Sequence, residues 1–316
     1  YKNQIPVYMP NVLGVQKIDA PFSLFNDRFR NFKKYFNNLS EAKKASAVEW
    51  SKDRLDLRLS GEIGVNMRYS TMSAFSLNNS NERVLRVSNR IKIVIAVHDF
   101  FDNPHSFGEM LFNDFYEWLK FLVEISKQTN YDWYIKTHPD YSHAELHCLN
   151  DIVLSCSDIT LVPPETSWHQ LSQEGLNFVL SCWGTVGHEL PLLGVQVINA
   201  SSNNPHIAYD FNWHASSIKE YEEMLFNLDS LENNIDLNEI YEFYYIWHRY
   251  TRLDDFIFNS YDEMRGKFSL EETFKLKVYT YFVDQLTNDK NSQIIYNMSE
   301  FIKSGKKNFF INGPEN

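Results

Sequence analysis

The run Ile91-Lys92-Ile93-Val94-Ile95-Ala96-Val97 constrains this chain more than any other feature. A nearly continuous β-branched segment of this length suits a strand buried on both faces, which is the interior of a parallel sheet. It stops at His98-Asp99-Phe100-Phe101-Asp102-Asn103-Pro104-His105. Residues 112–128 then place Phe115, Leu119, Leu122 and Ile125 at spacings of three and four, which predicts an amphipathic helix. A second strand, Tyr131–Lys136, stops at Thr137-His138-Pro139-Asp140. A short helix over 143–150 and a strand over Ile159–Val162 follow, then Pro163-Pro164-Glu165-Thr166-Ser167 and a link over 169–174. The strand Phe178–Ser181 runs into Cys182-Trp183-Gly184-Thr185-Val186-Gly187-His188-Glu189, a helix opens at Leu190 and ends at Gly194, and Val195–Ile198 is one more strand. Strand, helix, strand repeated in this way predicts a doubly wound α/β lobe.

Around this lobe the signal weakens. Ser40 is placed to cap a helix through Trp50, Leu55–Tyr69 reads as a strand or a loop bearing Gly61 and Gly64, and Ile5–Val15 is short and punctuated by proline. Beyond it, helices are predicted over 218–228, 237–250 and 270–287, and Lys303–Asn316 reads as a mobile tail. The 316 residues favour two compact domains. The expected division is an acceptor-side lobe over 1–89, a ligand-binding α/β lobe over 90–215 and a helical C-terminal region over 216–316.

Thirty Lys and Arg stand against 41 Asp and Glu, a net charge of −11 without a basic cluster, which argues against a nucleic-acid partner. Cys148, Cys156 and Cys182 contain no CxxC pair, so neither a disulfide framework nor a structural zinc site is suggested, and a reducing, cytoplasmic compartment fits. No apolar stretch reaches the roughly 18 residues of a membrane span. Peripheral association with the inner face of a membrane stays open, although no basic amphipathic helix declares it. The chain opens at Tyr1 without a signal-peptide pattern and is expected to be processed or trimmed there.

In an open parallel sheet ligands bind beyond the carboxyl ends of the strands, and the unusual polar residues fall at such ends. In Gly184-Thr185-Val186-Gly187-His188-Glu189, small residues between strand and helix leave amides to face an anion, Gly187 permits close approach, and Glu189 is placed to accept from ribose hydroxyls. A plain glycine turn capped by Thr185 is the competing reading. Lys136 and His138 alternate at the end of the second strand, where Pro139 fixes the turn and an imidazole can donate to a phosphate oxygen. A carboxylate after the first strand, Asp99 first and Asp102 second, would be the base or nucleophile; an Asx turn competes for either. His143 and His147 stand at i, i+4 without an accompanying carboxylate, so no metal and no cofactor is expected. The aromatic run Tyr241–Tyr250 surrounds most of a helix and is expected to be buried.

Lys-Thr-His-Pro-Asp at 136–140 and Gly-Thr-Val-Gly-His-Glu-Leu-Pro-Leu-Leu-Gly-Val-Gln-Val-Ile at 184–198 together resemble the nucleotide-binding lobe of GT-B glycosyltransferases, of the bacterial capsule and lipopolysaccharide Kdo transferase kind. The likeness covers about residues 90–215 and departs from the pattern at His188. It implies two Rossmann-like lobes with a helical C-terminal region, and metal-independent transfer of a sugar from a nucleotide donor to a capsule or lipopolysaccharide glycan or a glycolipid. The donor it points to is a CMP-linked acidic sugar such as Kdo. It further implies that His138 meets the donor phosphate, that Gly184–His188 and the Thr185 hydroxyl cradle it, that Glu189 lies near the ribose, and that Glu165 and Ser167 border the base. A CDP-polyol phosphotransferase and a non-catalytic nucleotide-binding lobe are the alternatives.

Overall fold

The computed structural model describes residues 5–11, 14–18, 27–65, 72–76, 82–100, 102–106, 108–138, 149–150, 152–153, 156, 158–251, 267–269, 272 and 275–310. The chain separates into two compact units, Asn26–Phe243 and Tyr1–Phe25 with Tyr244–Asn316, so the sequence boundaries at 89/90 and 215/216 both fall inside the larger unit. The strands are β1 (Val7–Asn11), β2 (Gly14–Ile18), β3 (Lys92–Ala96), β4 (Asp132–Lys136), β5 (Ile159–Leu161), β6 (Phe178–Ser181), β7 (Gln196–Asn199), β8 (Trp213–His214) and β9 (Asn308–Phe309).

The larger unit is α/β, built on one six-stranded sheet in the order β5-β4-β3-β6-β7-β8 with every pair parallel. β3 lies at its centre, where Ile93 pairs with Trp133 on one side and Phe178 on the other. The β-branched run is buried because both faces are covered. Ile93, Ile95, Ile135 and Leu180 pack beneath helices Phe115–Ser126 and Ile218–Phe226, whereas Val94, Tyr134, Val179 and Val197 meet Phe75, Leu85, Trp168, Leu171 and Leu190. Chain order runs outward from β3 through β4 to β5, and in the other direction from β6 through β7 to β8. The switch point, where a doubly wound sheet opens a crevice at its carboxyl edge, is therefore between β3 and β6.

The helices follow local signals. Asp114 caps the helix Phe115–Ser126 by accepting from the Glu117 amide at 2.7 Å. Ser40 caps the helix Glu41–Leu59, which runs through the first part of the stretch read as a strand or glycine loop. Ala47, Ser51, Leu55 and Arg58 form its buried stripe, and it ends in a turn whose Gly61 has φ +94°. Residues 66–69 of that stretch, and the 143–148 part of the predicted short helix, lie outside the described residues.

The smaller unit carries a three-stranded antiparallel sheet, β1-β2-β9, beside helices Leu276–Gln285 and Asp289–Ser304. Among the described residues the parallel sheet is single. A hairpin, Val7–Ile18, is what a short connection between strands permits, since parallel pairing needs a long crossover. The mobile tail is corrected in part. The helix continues to Ser304, Gly305 takes φ +69°, and β9 pairs with β2. Residues 311–316 lie outside the described residues.

Candidate functional site

At the switch point the loop after β3 is tied to the turn after β6. The Cys182 amide donates to His98 Nε2 at 3.2 Å, which fixes that nitrogen as the acceptor and puts the neutral ring's proton on Nδ1. Ser181 Oγ lies 3.2 Å from the same Nε2 and accepts from the Gly184 amide at 3.0 Å, so its own proton goes to the imidazole. The ring stands between Phe115 and Trp183, with centroids at 4.7 and 4.5 Å, and that enclosure lowers its pKa to about 4.

The turn itself divides. Gly184, Thr185 and Val186 are half-buried; Gly187, His188 and Glu189 are buried. The amides of Gly187, His188 and Glu189 are spent on Gly184 O and Thr185 O, as Gly184's is on Ser181. Only the Thr185 and Val186 amides of this turn have no acceptor among the described residues, so the expected Gly184–His188 cradle narrows to those two donors. Gly187 serves packing: a Cβ there would lie 2.5 Å from His206 Cε1 and 2.9 Å from Asn212 Nδ2. His188 turns away from the crevice, with Nδ1 3.1 Å from His206 Nε2 and Phe243 against both rings. Burial lowers the His188 pKa to about 4 and that of His206 well below its ordinary value.

Glu189 too is engaged within the protein. Its Oε1 accepts from Arg58 Nε at 2.8 Å and its Oε2 from the Thr185 hydroxyl at 3.1 Å, with both charged side chains almost wholly buried. Burial pushes this carboxyl up, but the Arg58 charge and the hydrogen bonds from Arg58 and Thr185 outweigh it and hold the pKa below the ordinary value. Sequence reasoning missed Arg58. The available signal was an arginine in the same helical stripe as Ala47, Ser51 and Leu55, a position that obliges it to find a buried anion.

At the end of β4, Lys136 is buried, donates to Pro164 O at 2.8 Å and lies 5.6 Å from the Trp168 ring centre; burial lowers its pKa to about 8. Its charge is therefore engaged within the layer of residues after β5. His138, two residues on, is half-buried, while Pro139 and Asp140 lie outside the described residues. Glu165 is exposed; Ser167 is buried and caps the helix Trp168–Gln173 through the His169 amide at 3.1 Å. Asp99 and Asp102 stand in the loop after β3, both exposed. Asp102 Oδ1 accepts from the adjacent Asn103 amide at 2.8 Å, and the Asx turn of this loop is made by Asn103, whose Oδ1 accepts from the His105 amide at 3.0 Å. His98 and Asp99 after β3, and Thr185 and Val186 after β6, thus follow the ends of adjacent strands, with His138 one strand over.

Among the described residues no three His, Cys, Asp or Glu side chains group to hold a metal ion, and His143 and His147 lie outside them. Phe243, Tyr244 and Tyr250 of the aromatic run are buried. No helix of the described residues is long and apolar enough to cross a membrane.

No protein-family model matches the chain, and no curated protein matches it in sequence. Similar solved structures include two from Thermosulfurimonas dismutans. One is the KpsC β-Kdo 2,4-transferase, at 10% identity and TM-score 0.40 over 73% of this chain and 64% of that one. The other is the KpsC β-Kdo 2,7-transferase, at 13% and 0.41 over 73% and 62%. The UDP-GlcNAc 2-epimerase of Methanocaldococcus jannaschii is similar at 16% and 0.34 over 48% and 44%. The chain spans less than two thirds of the length of each of these proteins. A doubly wound sheet carries many unrelated chemistries, and activity is decided by the residues at its site.

Proposed function

We propose that this chain binds a nucleotide-linked sugar at the carboxyl edge of the six-stranded sheet and transfers the sugar to a hydroxyl of a glycan or glycolipid acceptor, as a GT-B-type glycosyltransferase. The observation that carries the reading is the half-buried turn Gly184–Val186 at the switch point, tied to His98 through Ser181, whose Thr185 and Val186 amides have no acceptor among the described residues. Backbone donors fixed at such a crevice suit phosphate oxygens. The likeness of the 136–140 and 184–198 segments to Kdo transferases makes a CMP-linked acidic sugar such as Kdo the first donor to try, with a bacterial capsule or lipopolysaccharide glycan as acceptor. In this reading His138 donates to the leaving phosphate, and Asp99, ahead of Asp102, takes the acceptor's proton. The burial of His188 against His206 weighs against the phosphotransferase alternative, which would use it beside His138.

The test is thermal unfolding and titration calorimetry with CMP, CDP, UDP and GDP on the wild type and on His138→Ala, followed by transfer assays. A ligand at 100 times its Kd is expected to add about 2.7 kcal/mol to the apparent stability. Selective stabilisation by CMP, weakened in His138→Ala, supports the CMP-sugar donor. Preference for CDP or UDP moves the donor, and no response to any nucleotide overturns the reading.

A further inference from the structure

The buried pair Arg58–Glu189 fixes the direction of a hydrogen bond that reaches the crevice. Arg58 Nε donates to Glu189 Oε1, and the opposite carboxylate oxygen lies 3.1 Å from Thr185 Oγ1. An ionised carboxylate only accepts, so the Thr185 proton points inward to Glu189. The lone pairs of the Thr185 oxygen are left for the crevice side, and no donor among the described residues takes them. Thr185 is half-buried, so the residue is not sealed in the core.

We propose that Arg58 and Glu189 act as positioning residues that hold the Thr185 hydroxyl as a hydrogen-bond acceptor, and that its partner is a ribose hydroxyl of the bound nucleotide. This rests on the nucleotide reading above and deepens it. A nucleotide phosphate at neutral pH presents acceptors, which match the Thr185 and Val186 amides and not an oxygen whose proton is already committed. The ribose supplies the O–H donors nearest to that phosphate. The role also accounts for a costly arrangement. A buried ion pair is seldom more stabilising than apolar residues of the same volume, and here Arg58 Nη1 is buried without a partner among the described residues. Arg58 and Glu189 therefore set the polarity of Thr185, and touch no ligand themselves.

The experiment is calorimetry with CMP, 2′-deoxy-CMP and 3′-deoxy-CMP, or the same set on whichever base the wild type prefers. The proteins are the wild type, Thr185→Ser, Thr185→Val and Glu189→Gln, each checked for folding by circular dichroism. One hydrogen bond lost is expected to weaken one deoxy ligand about threefold to tenfold against the wild type. Thr185→Ser keeps that ratio and Thr185→Val brings it to one. Glu189→Gln also lowers it, because an amide NH2 can donate to Thr185 and release its proton. A ratio in Thr185→Val equal to that of the wild type, or a wild type indifferent to both deoxy ligands, overturns the proposal while leaving nucleotide binding intact. A wild type that binds no nucleotide overturns the parent reading instead. Should Glu189→Gln fail to fold, the Ser and Val variants decide alone.

Discussion

Six consecutive residues after β6, Gly184–Glu189, behave as two regions. In the outer three, the residues are half-buried and two amides have no acceptor among the described residues. In the inner three, everything is buried and committed: Gly187 to the space beside His206 and Asn212, His188 to His206, Glu189 to Arg58 and Thr185. The division falls one residue into the helix Val186–Glu189, where successive residues point about 100° apart. His188 and Glu189 are thereby sent to different neighbours. Residue types that read together as one ligand motif can thus belong half to the crevice and half to the core.

The largest expected effect is that of acid on the buried imidazoles, of which His188 lies in the inner half and His98 anchors the outer one at the same pKa of about 4. Burial holds His188 and His214 near pKa 4 and His206 well below its ordinary value, so all three are neutral in the folded chain. The unfolded chain binds protons from about 6.5 downward and the folded chain does not. The stability these rings contribute is therefore fully present above 6.5 and is lost as pH falls from 6.5 toward 4. A ring moved from 6.5 to about 4 contributes roughly 3 kcal/mol. Glu189, held below its ordinary value, adds a further loss only at lower pH. The unfolding midpoint is expected to be steady from pH 8 to 7 and to drop steeply below 6.5, with a shallower slope in His206→Gln. A flat profile between 6.5 and 4.5 would mean that the buried imidazoles do not titrate with unfolding.

A smaller and cleaner break separates charge from packing. Arg58→Met leaves Glu189 buried and unpaired, an expected loss of about 3–5 kcal/mol in urea unfolding. The double variant Arg58→Met with Glu189→Met should regain most of it, because two apolar side chains need no partner. Thr185→Val, on the outer half, should cost only about 1 kcal/mol. Equal losses for Arg58→Met and the double variant would show that the stripe of helix Glu41–Leu59 requires the arginine for its shape rather than for its charge.

The same contrast marks how far the sequence could be read. The strands β3, β4, β6 and β7 were legible within a residue or so at their ends because short apolar runs, β-branched in β3 and aromatic or aliphatic in β4 and β6, end at turn residues. The pairs β1–β2 and β2–β9 were not, since β9 is two residues long and finds β2 nearly three hundred residues away. At the site, strand ends were legible and side-chain direction was not. Ser167 as a cap, Lys136 on Pro164 and Glu189 on Arg58 each depend on a partner that only the folded chain brings near. The Arg58–Glu189 contact spans 131 positions, and no local pattern around Glu189 announces it.

The two glycines give the smallest effect and the sharpest contrast. A methyl at Gly187 would sit 2.5 Å from His206 Cε1 and 2.7 Å from Nδ1, against a ring held by His188 and Phe243 that has no room to retreat. Gly187→Ala is expected to cost about 1–3 kcal/mol, the usual scale of overpacking, and to loosen nucleotide binding only as far as it loosens the fold. A methyl at Gly184 would meet Ser181 Oγ at 2.9 Å and His98 Cε1 at 3.5 Å, of which the first is a hydroxyl able to rotate away. Rotation costs little stability but gives up the Gly184–Ser181–His98 connection that sets the crevice. Gly184→Ala should therefore unfold within about 1 kcal/mol of the wild type and still lose nucleotide affinity. Calorimetry and urea unfolding on the two variants place each on its own axis. The division at Val186 fails if Gly187→Ala is the variant that spares stability and loses ligand.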